Sequence, residues 1–190
     1  YYILAEHMLV LHCLVKILET LSKVCNQHCA SNELRTFYVE SFLNRMGYDQ
    51  SKAVGDNCQN YFLEMLQQAE QAYNEAQKYI SKHAFIKEIL PYEGNLLGWL
   101  DFLVPIIKDC KKLSFLPDGP FFLMLDDADN LDEDMQRIIN TWVSTRVIDS
   151  VCLKISTQLR YKTYQTISGA FIESPHDYTD IDITKIYSSK

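Results

Sequence analysis

Residues 3–24 repeat apolar side chains at helical spacing: Leu4, Met8, Leu11, Val15 and Leu18 step by four, three, four and three. Leu14, Ile17 and Leu21 widen that stripe, which predicts a well-buried helix. A second helix is expected over 31–46, with Ser31 or Asn32 as N-cap and Gly47 as its stop. Residues 48–57, with Gly55, Asp56 and Asn57, read as a polar loop. From Gln59 to His83, Phe62, Met65, Ala69, Ala72, Ala76 and Tyr79 line one helical face, opposite Glu, Gln, Asn and Lys. Alanines in a stripe permit close approach, so this segment fits an amphipathic surface helix or a projecting hairpin or coiled-coil arm. Pro91 and Gly94 break the chain, and a further helix is expected over 95–109, with Pro105 kinking it or marking a start.

The pattern then changes. Leu116-Pro117-Asp118-Gly119-Pro120 is a turn, followed by the continuous apolar run Phe121-Phe122-Leu123-Met124-Leu125. A run without alternation predicts a strand buried on both faces, as in a parallel sheet covered by helices. Asn130-Leu131-Asp132-Glu133 reads as a capping box, with Asn130 as cap and Asp132, Glu133 and Asp134 on the positive end of the helix dipole. Leu131, Met135, Ile138 and Trp142 give the buried stripe of that helix, and 150–156 reads as the next strand. Strand, helix and strand over 120–156 predict a right-handed crossover in an α/β sheet. Gly169 to Glu173 reads as a short strand. The expected organisation is a mainly helical region over 1–115, an α/β segment over 116–173, and a polar tail or linker over 174–190.

Composition narrows the functional classes. With 190 residues, 47% hydrophobic and 12% aromatic, the chain is long and apolar enough to fold. A net charge of -7 disfavours a surface given over to nucleic acid, though a local basic patch stays open. No apolar run approaches the roughly 18 residues of a membrane span. Six scattered cysteines without a Cys-x-x-Cys pair suggest a reducing, cytoplasmic setting. In Cys25-Asn26-Gln27-His28-Cys29 the i to i+4 spacing can place two thiolates on one helical face, with His12 or Cys13 nearby for zinc; with no second pair at metal spacing, ordinary thiols are favoured.

The chemistry-bearing segment is Leu125-Asp126-Asp127-Ala128-Asp129, where a hydrophobic strand ends in adjacent carboxylates. Ligands of open α/β sheets bind beyond the carboxyl ends of strands. There, one carboxylate can hold hydrated Mg²⁺ and a second can orient or deprotonate an attacking water. Capping and dipole roles can account for Asp129, Asn130 and Asp132 to Asp134, but not for Asp126 and Asp127. A calcium loop starting at Asp127 fails, because Leu131 and Asp132 fall where a ligand and a glycine are required. A serine or cysteine hydrolase reading is weak too, since no Gly-x-Ser-x-Gly is present.

Phe121 to Asp127 resembles a Walker B motif of the P-loop ATPases. Its continuation, Asp129-Asn130-Leu131 and then Gln136-Arg137-Ile138-Ile139-Asn140, is similar to prokaryotic AAA ATPases of the origin-recognition and cell-division-control type. Leu153-Lys154-Ile155 and Asp177-Tyr178 extend the resemblance, which covers about 120–183. The resemblance implies a P-loop NTPase-like parallel sheet with a large helical insertion, and ATP with Mg²⁺ as cofactors. It implies Asp126 as the magnesium-binding residue and Asp127 as the catalytic one, where AAA ATPases usually carry Glu. Paired aspartates are also found in signalling ATPases that hold nucleotide as a switch. Ser156-Thr157-Gln158 match the sensor-one position, with Thr157 and Gln158 expected at the nucleotide. Arg146 and Arg160 are candidate trans-acting arginines. Members of this group accompany anti-phage defence systems, and the resemblance carries that implication too.

No Gly-x-x-x-x-Gly-Lys-Ser/Thr occurs in these residues, so the backbone cradle for phosphates is not among them. The opening Tyr1 favours a phosphate loop upstream over a fold that has lost nucleotide chemistry. The expected function is therefore part of an AAA-type ATPase acting as switch or motor in a larger assembly. A protein partner or homo-oligomer would dock through the helical region. The alternative is a non-catalytic helical interaction module that docks through 59–83.

Overall fold

A computed structural model describes residues 1–49, 58–85, 91–147, 149–158, 161–183 and 185. The chain divides into two compact units, the first comprising Tyr1, Ile3–Phe121 and Asp149–Val151, the second Tyr2, Phe122–Ile148 and Cys152–Lys190.

The first unit is helical. Helix α1 (Tyr2–Val24) buries Val10, Leu11 and Leu14 completely, as its stripe predicts. His7 lies in the same stripe. Its Nδ1 accepts from the Leu97 backbone N–H at 2.9 Å and its Nε2 meets the Tyr92 hydroxyl at 3.1 Å. Burial pushes the His7 pKa below the ordinary histidine range. Ser31 caps α2 (Asn32–Thr36), accepting from Leu34 N–H at 3.2 Å. The helix then widens into a π-helix over Phe37–Leu43, which periodicity does not foretell, and closes as α3 (Asn44–Met46). The wider turn brings Phe37, Tyr38, Phe42 and Leu43 into the core. Gly47 stops it in the left-handed region at φ 72°, where an added Cβ would run into the Asn95 amide.

Helix α4 (Tyr61–Phe85) decides between the two readings of its segment in favour of an amphipathic surface helix. Phe62, Met65, Ala69 and Ala76 have no solvent exposure, so the helix lies against the core of this unit and is no projecting arm. The loop expected over 48–57 falls mostly on residues 50–57, outside the described residues. A π-helix over Trp99–Leu103 runs on into α5 (Val104–Cys110), and Pro105 sits where the one gives way to the other.

The second unit is built on β1 (Phe121–Leu125), α6 (Glu133–Ser144) and β2 (Val151–Ile155). The two strands pair. Phe121 N–H donates to Ser150 O at 2.9 Å and Ser156 N–H to Leu125 O at 2.9 Å, so the pairing advances in one direction along both strands. The sheet is parallel and the architecture mixed α/β.

Three local expectations are overturned. Strand β1 is not buried on both faces: Leu123 is 9% exposed, but Phe122 is 60% and Met124 80%. Successive side chains point to opposite sides, and only one side is covered here. The cap of α6 is Asp132, whose carboxylate accepts from Met135 N–H at 2.8 Å, and not Asn130. Asn130 lies in a 3₁₀ turn over Ala128–Asn130, which uses up the residues a capping box needs. The strand expected over 169–173 reduces to a single antiparallel bridge between Gln165 and Phe171.

Candidate functional site

Strand β1 delivers Asp126 and Asp127 at its carboxyl end, and β2 delivers Ser156 beside them. All three residues are exposed. The Ser156 hydroxyl donates to Asp126 Oδ1, which also accepts from the Asp127 N–H at 3.1 Å. Asp127 N–H also points at Ser156 Oγ at 3.0 Å. The Ser156 carbonyl accepts from Ala128 N–H at 3.0 Å. One serine therefore pins the acidic turn through both its side chain and its backbone. Sequence matching set Ser156 at the head of a sensor-like triplet, but its grip on both aspartates depends on strand register and was missed.

Asp127 itself adopts the left-handed conformation, φ 51° and ψ 42°. Aspartate tolerates that region better than most residues, yet the cost is still on the order of 1 kcal/mol. The strain turns the chain sharply out of β1 into the 3₁₀ turn. Among the described residues the Asp127 carboxylate accepts no hydrogen bond, and Asp126 is engaged only through Oδ1. An exposed acid pair with free oxygens, at the mouth of a parallel strand pair, fits a hydrated divalent cation. Among the described residues no group of three or more His, Cys, Asp or Glu is assembled for a metal, which removes support from a zinc set at Cys25 and Cys29. An all-protein cage is not what magnesium takes, since it usually keeps several waters and one or two carboxylates.

The other predicted residues are placed as follows. Thr157 and Gln158 are exposed just beyond β2, and Gln158 N–H donates to Asp129 Oδ1 at 3.3 Å. Ser156 and Gln158 thus both meet the acidic turn. Arg146, also left-handed at φ 51°, pairs with Asp177 at 2.8 Å and contacts His176. That pairing holds the Asp177 carboxyl below its usual range. Arg160 lies outside the described residues.

Two buried polar side chains carry a further part of the arrangement. Gln136 and Asn140 on α6 are 0% and 1% exposed. Asn140 Nδ2 donates to the carbonyls of Thr163 and Gln165 at 3.0 and 2.9 Å, and its Oδ1 accepts from the Tyr161 hydroxyl at 2.9 Å. Thr141 Oγ1 accepts from Ile167 N–H at 3.0 Å. The segment after β2 is thereby templated on α6. In sequence, the signal available was a pair of amides at helical spacing among Ile138, Ile139 and Trp142, where a polar residue needs a partner.

No helix among the described residues is long and apolar enough to cross a membrane. No curated protein and no solved structure matches the chain significantly. The ORC-CDC6-like family model matches residues 2–190, and the chain belongs to that family, which places it in an AAA-ATPase-like relationship.

Proposed function

We propose that this ORC-CDC6-like chain carries the acidic half of an ATP site and acts as a switch or motor component in a larger assembly. The observation that carries this reading is the exposed pair Asp126–Asp127, which follows a parallel strand and is held by Ser156 from the neighbouring strand. Asp126 would hold Mg²⁺ through water, with Ser156 fixing its carboxylate plane. Bound Mg²⁺ would supply charge neutralisation at the phosphates. Asp127 would orient or deprotonate the attacking water. Its carboxylate is one methylene shorter than the usual Glu, and the left-handed turn changes the direction from which it reaches the water. Thr157 and Gln158, at the sensor-one position, would face the terminal phosphate. Arg146 would serve a neighbouring copy only after leaving Asp177, so it belongs to an assembled state.

The P-loop form of the fold, with its phosphate cradle contributed by other residues, belongs to the same proposal. The exposed apolar side of β1 supports it, because parallel strands are normally covered on both faces. A cytoplasmic setting rests on the scattered cysteines, and a part in anti-phage defence on the family resemblance alone. Docking through the alanine stripe of α4 has less support, since Ala69, Ala72 and Ala76 are buried within their own unit.

The test is made on the full-length protein. Asp127→Asn preserves the backbone, because Asn accepts the left-handed region as readily as Asp. It is expected to leave Mg·ATP affinity within a few-fold and to cut turnover by about 10² or more. Unchanged turnover would remove Asp127 from catalysis. Asp126→Ala is expected to weaken the magnesium dependence of binding.

A further inference from the structure

Gln136 lies one turn into α6, with no exposed surface. Its Nε2 donates to the Ala128 carbonyl at 3.1 Å and to the Leu131 carbonyl at 3.3 Å. Its Oε1 accepts from Lys162 N–H at 2.8 Å and from Thr163 N–H at 3.3 Å. Carbonyls on one side and N–H groups on the other fix which amide atom is which. One side chain thus bridges two stretches of backbone. The first is the 3₁₀ turn that follows Asp127, and the second is the backbone of Lys162 and Thr163. Its hydrogen-bonding capacity is filled and its side chain is buried.

A buried amide so connected is costly to disturb. Losing it leaves the Lys162 and Thr163 N–H groups without their shared acceptor and reduces the Ala128 and Leu131 carbonyls to the Leu131 N–H and the Lys162 ammonium respectively, and a buried group left unpaired costs about 1–3 kcal/mol. Natural cores place such groups where a unique geometry matters more than apolar burial. The geometry at stake here is the acidic turn. Ala128 N–H bonds Ser156 O, Asp127 N–H bonds Ser156 Oγ, and Asp127 is held in a conformation that its local backbone does not favour. Ser156 grips that turn from the front; Gln136 closes it from behind, through Ala128.

We infer that Gln136 is a positioning residue for the acid pair: it ties the turn after Asp127 to the backbone of Lys162 and Thr163. This deepens the ATP-site reading and rests on it for its functional consequence, while its structural consequence stands apart. Asn140, one turn further along α6, reaches only 161–165 and never the acidic turn. It provides the internal comparison.

Three variants of the full-length protein decide the matter. Gln136→Met keeps the volume and deletes all four bonds. Gln136→Glu keeps the size and both acceptor contacts but removes the donors to Ala128 and Leu131. Asn140→Leu removes only the downstream contacts. Amide hydrogen exchange is read at Asp127 and Ala128 against Leu123 and Ile138. Both Gln136 variants are expected to speed exchange at Asp127 and Ala128 by about tenfold relative to the reference amides, the equivalent of one buried hydrogen bond. Asn140→Leu should leave that ratio unchanged. In turnover assays Gln136→Glu should lower kcat by about tenfold with ATP affinity within threefold.

Equal acceleration of every amide by both Gln136 variants and Asn140→Leu would reduce Gln136 to a stability element and overturn the proposal. So would an unchanged ratio in Gln136→Met, the variant that keeps the volume without burying a charge. Full turnover in Asp127→Asn would instead sink the catalytic reading, and the exchange ratio would still decide whether Gln136 holds the turn.

Discussion

At the scale of single residues, the acid-rich stretch 126–134 shows how one residue type takes several jobs. Asp126 and Asp127 end a strand, Asp129 accepts from the Gln158 backbone, and Asp132 caps α6. Sequence spacing put the cap at Asn130, because Asn followed by Glu three residues on is the usual signature. The structure moves it two residues later, because the chain needs a 3₁₀ turn to leave the left-handed Asp127 before α6 can begin. The shift is testable. Asp132→Ala should cost about 1 kcal/mol through loss of the bond to Met135 N–H, while Asn130→Ala should change little. Thermal melts of the two variants side by side check it, and a larger loss in Asn130→Ala would restore the capping box.

Among the elements, the long amphipathic helices and the strand–helix–strand order were legible, since Leu, Phe and Trp at regular spacing announce their burial. The π-helices over Phe37–Leu43 and Trp99–Leu103 were not, because a one-residue widening leaves the apolar pattern almost intact. Nor was the tie between distant elements at Asp109, at the end of α5. Its carboxylate accepts from Ser41 Oγ at 2.7 Å, from Arg45 at 2.9 Å and from Lys112 at 2.7 Å. Burial alone would raise its pKa; the three donors outweigh burial and bring it down to about 2. A depressed carboxylate stabilises the fold above the ordinary aspartate pKa near 4, and that contribution fades as pH falls toward 2. Asp109→Asn should therefore lower the melting temperature at neutral pH, and the gap to the unmodified chain should close between about pH 4 and 2. A gap that stays constant across that range would show that the ionic character of Asp109 is immaterial.

Over the whole molecule, the site was legible as chemistry but not as geometry. Two carboxylates after an apolar run mark a strand end from sequence alone, whereas Ser156, Gln136 and the left-handed Asp127 emerge only when the two parallel strands fall into register. The same register explains the expectation about β1 that failed. An unbroken apolar run promises cover on both faces, but side chains still alternate, so Phe122 and Met124 point away from the core that takes Leu123. Lys154 extends over the Phe122 ring, its ammonium 5.8 Å from the centroid, and shields part of that open face with its aliphatic stem. Met124 has no such shield. Among methionines, a thioether 80% exposed should be oxidised well ahead of Met46 at 2% and Met65 at 0%. Dilute peroxide followed by peptide mapping of the 190-residue chain should find the sulfoxide first at Met124. In an assembled ATP site that completes the sheet, the same residue should become resistant, because covering residues would pack where the solvent now stands. Met124 resisting oxidation in the 190-residue chain by itself would mean that this face is already covered, and the exposed side of β1 would no longer support a completed parallel sheet.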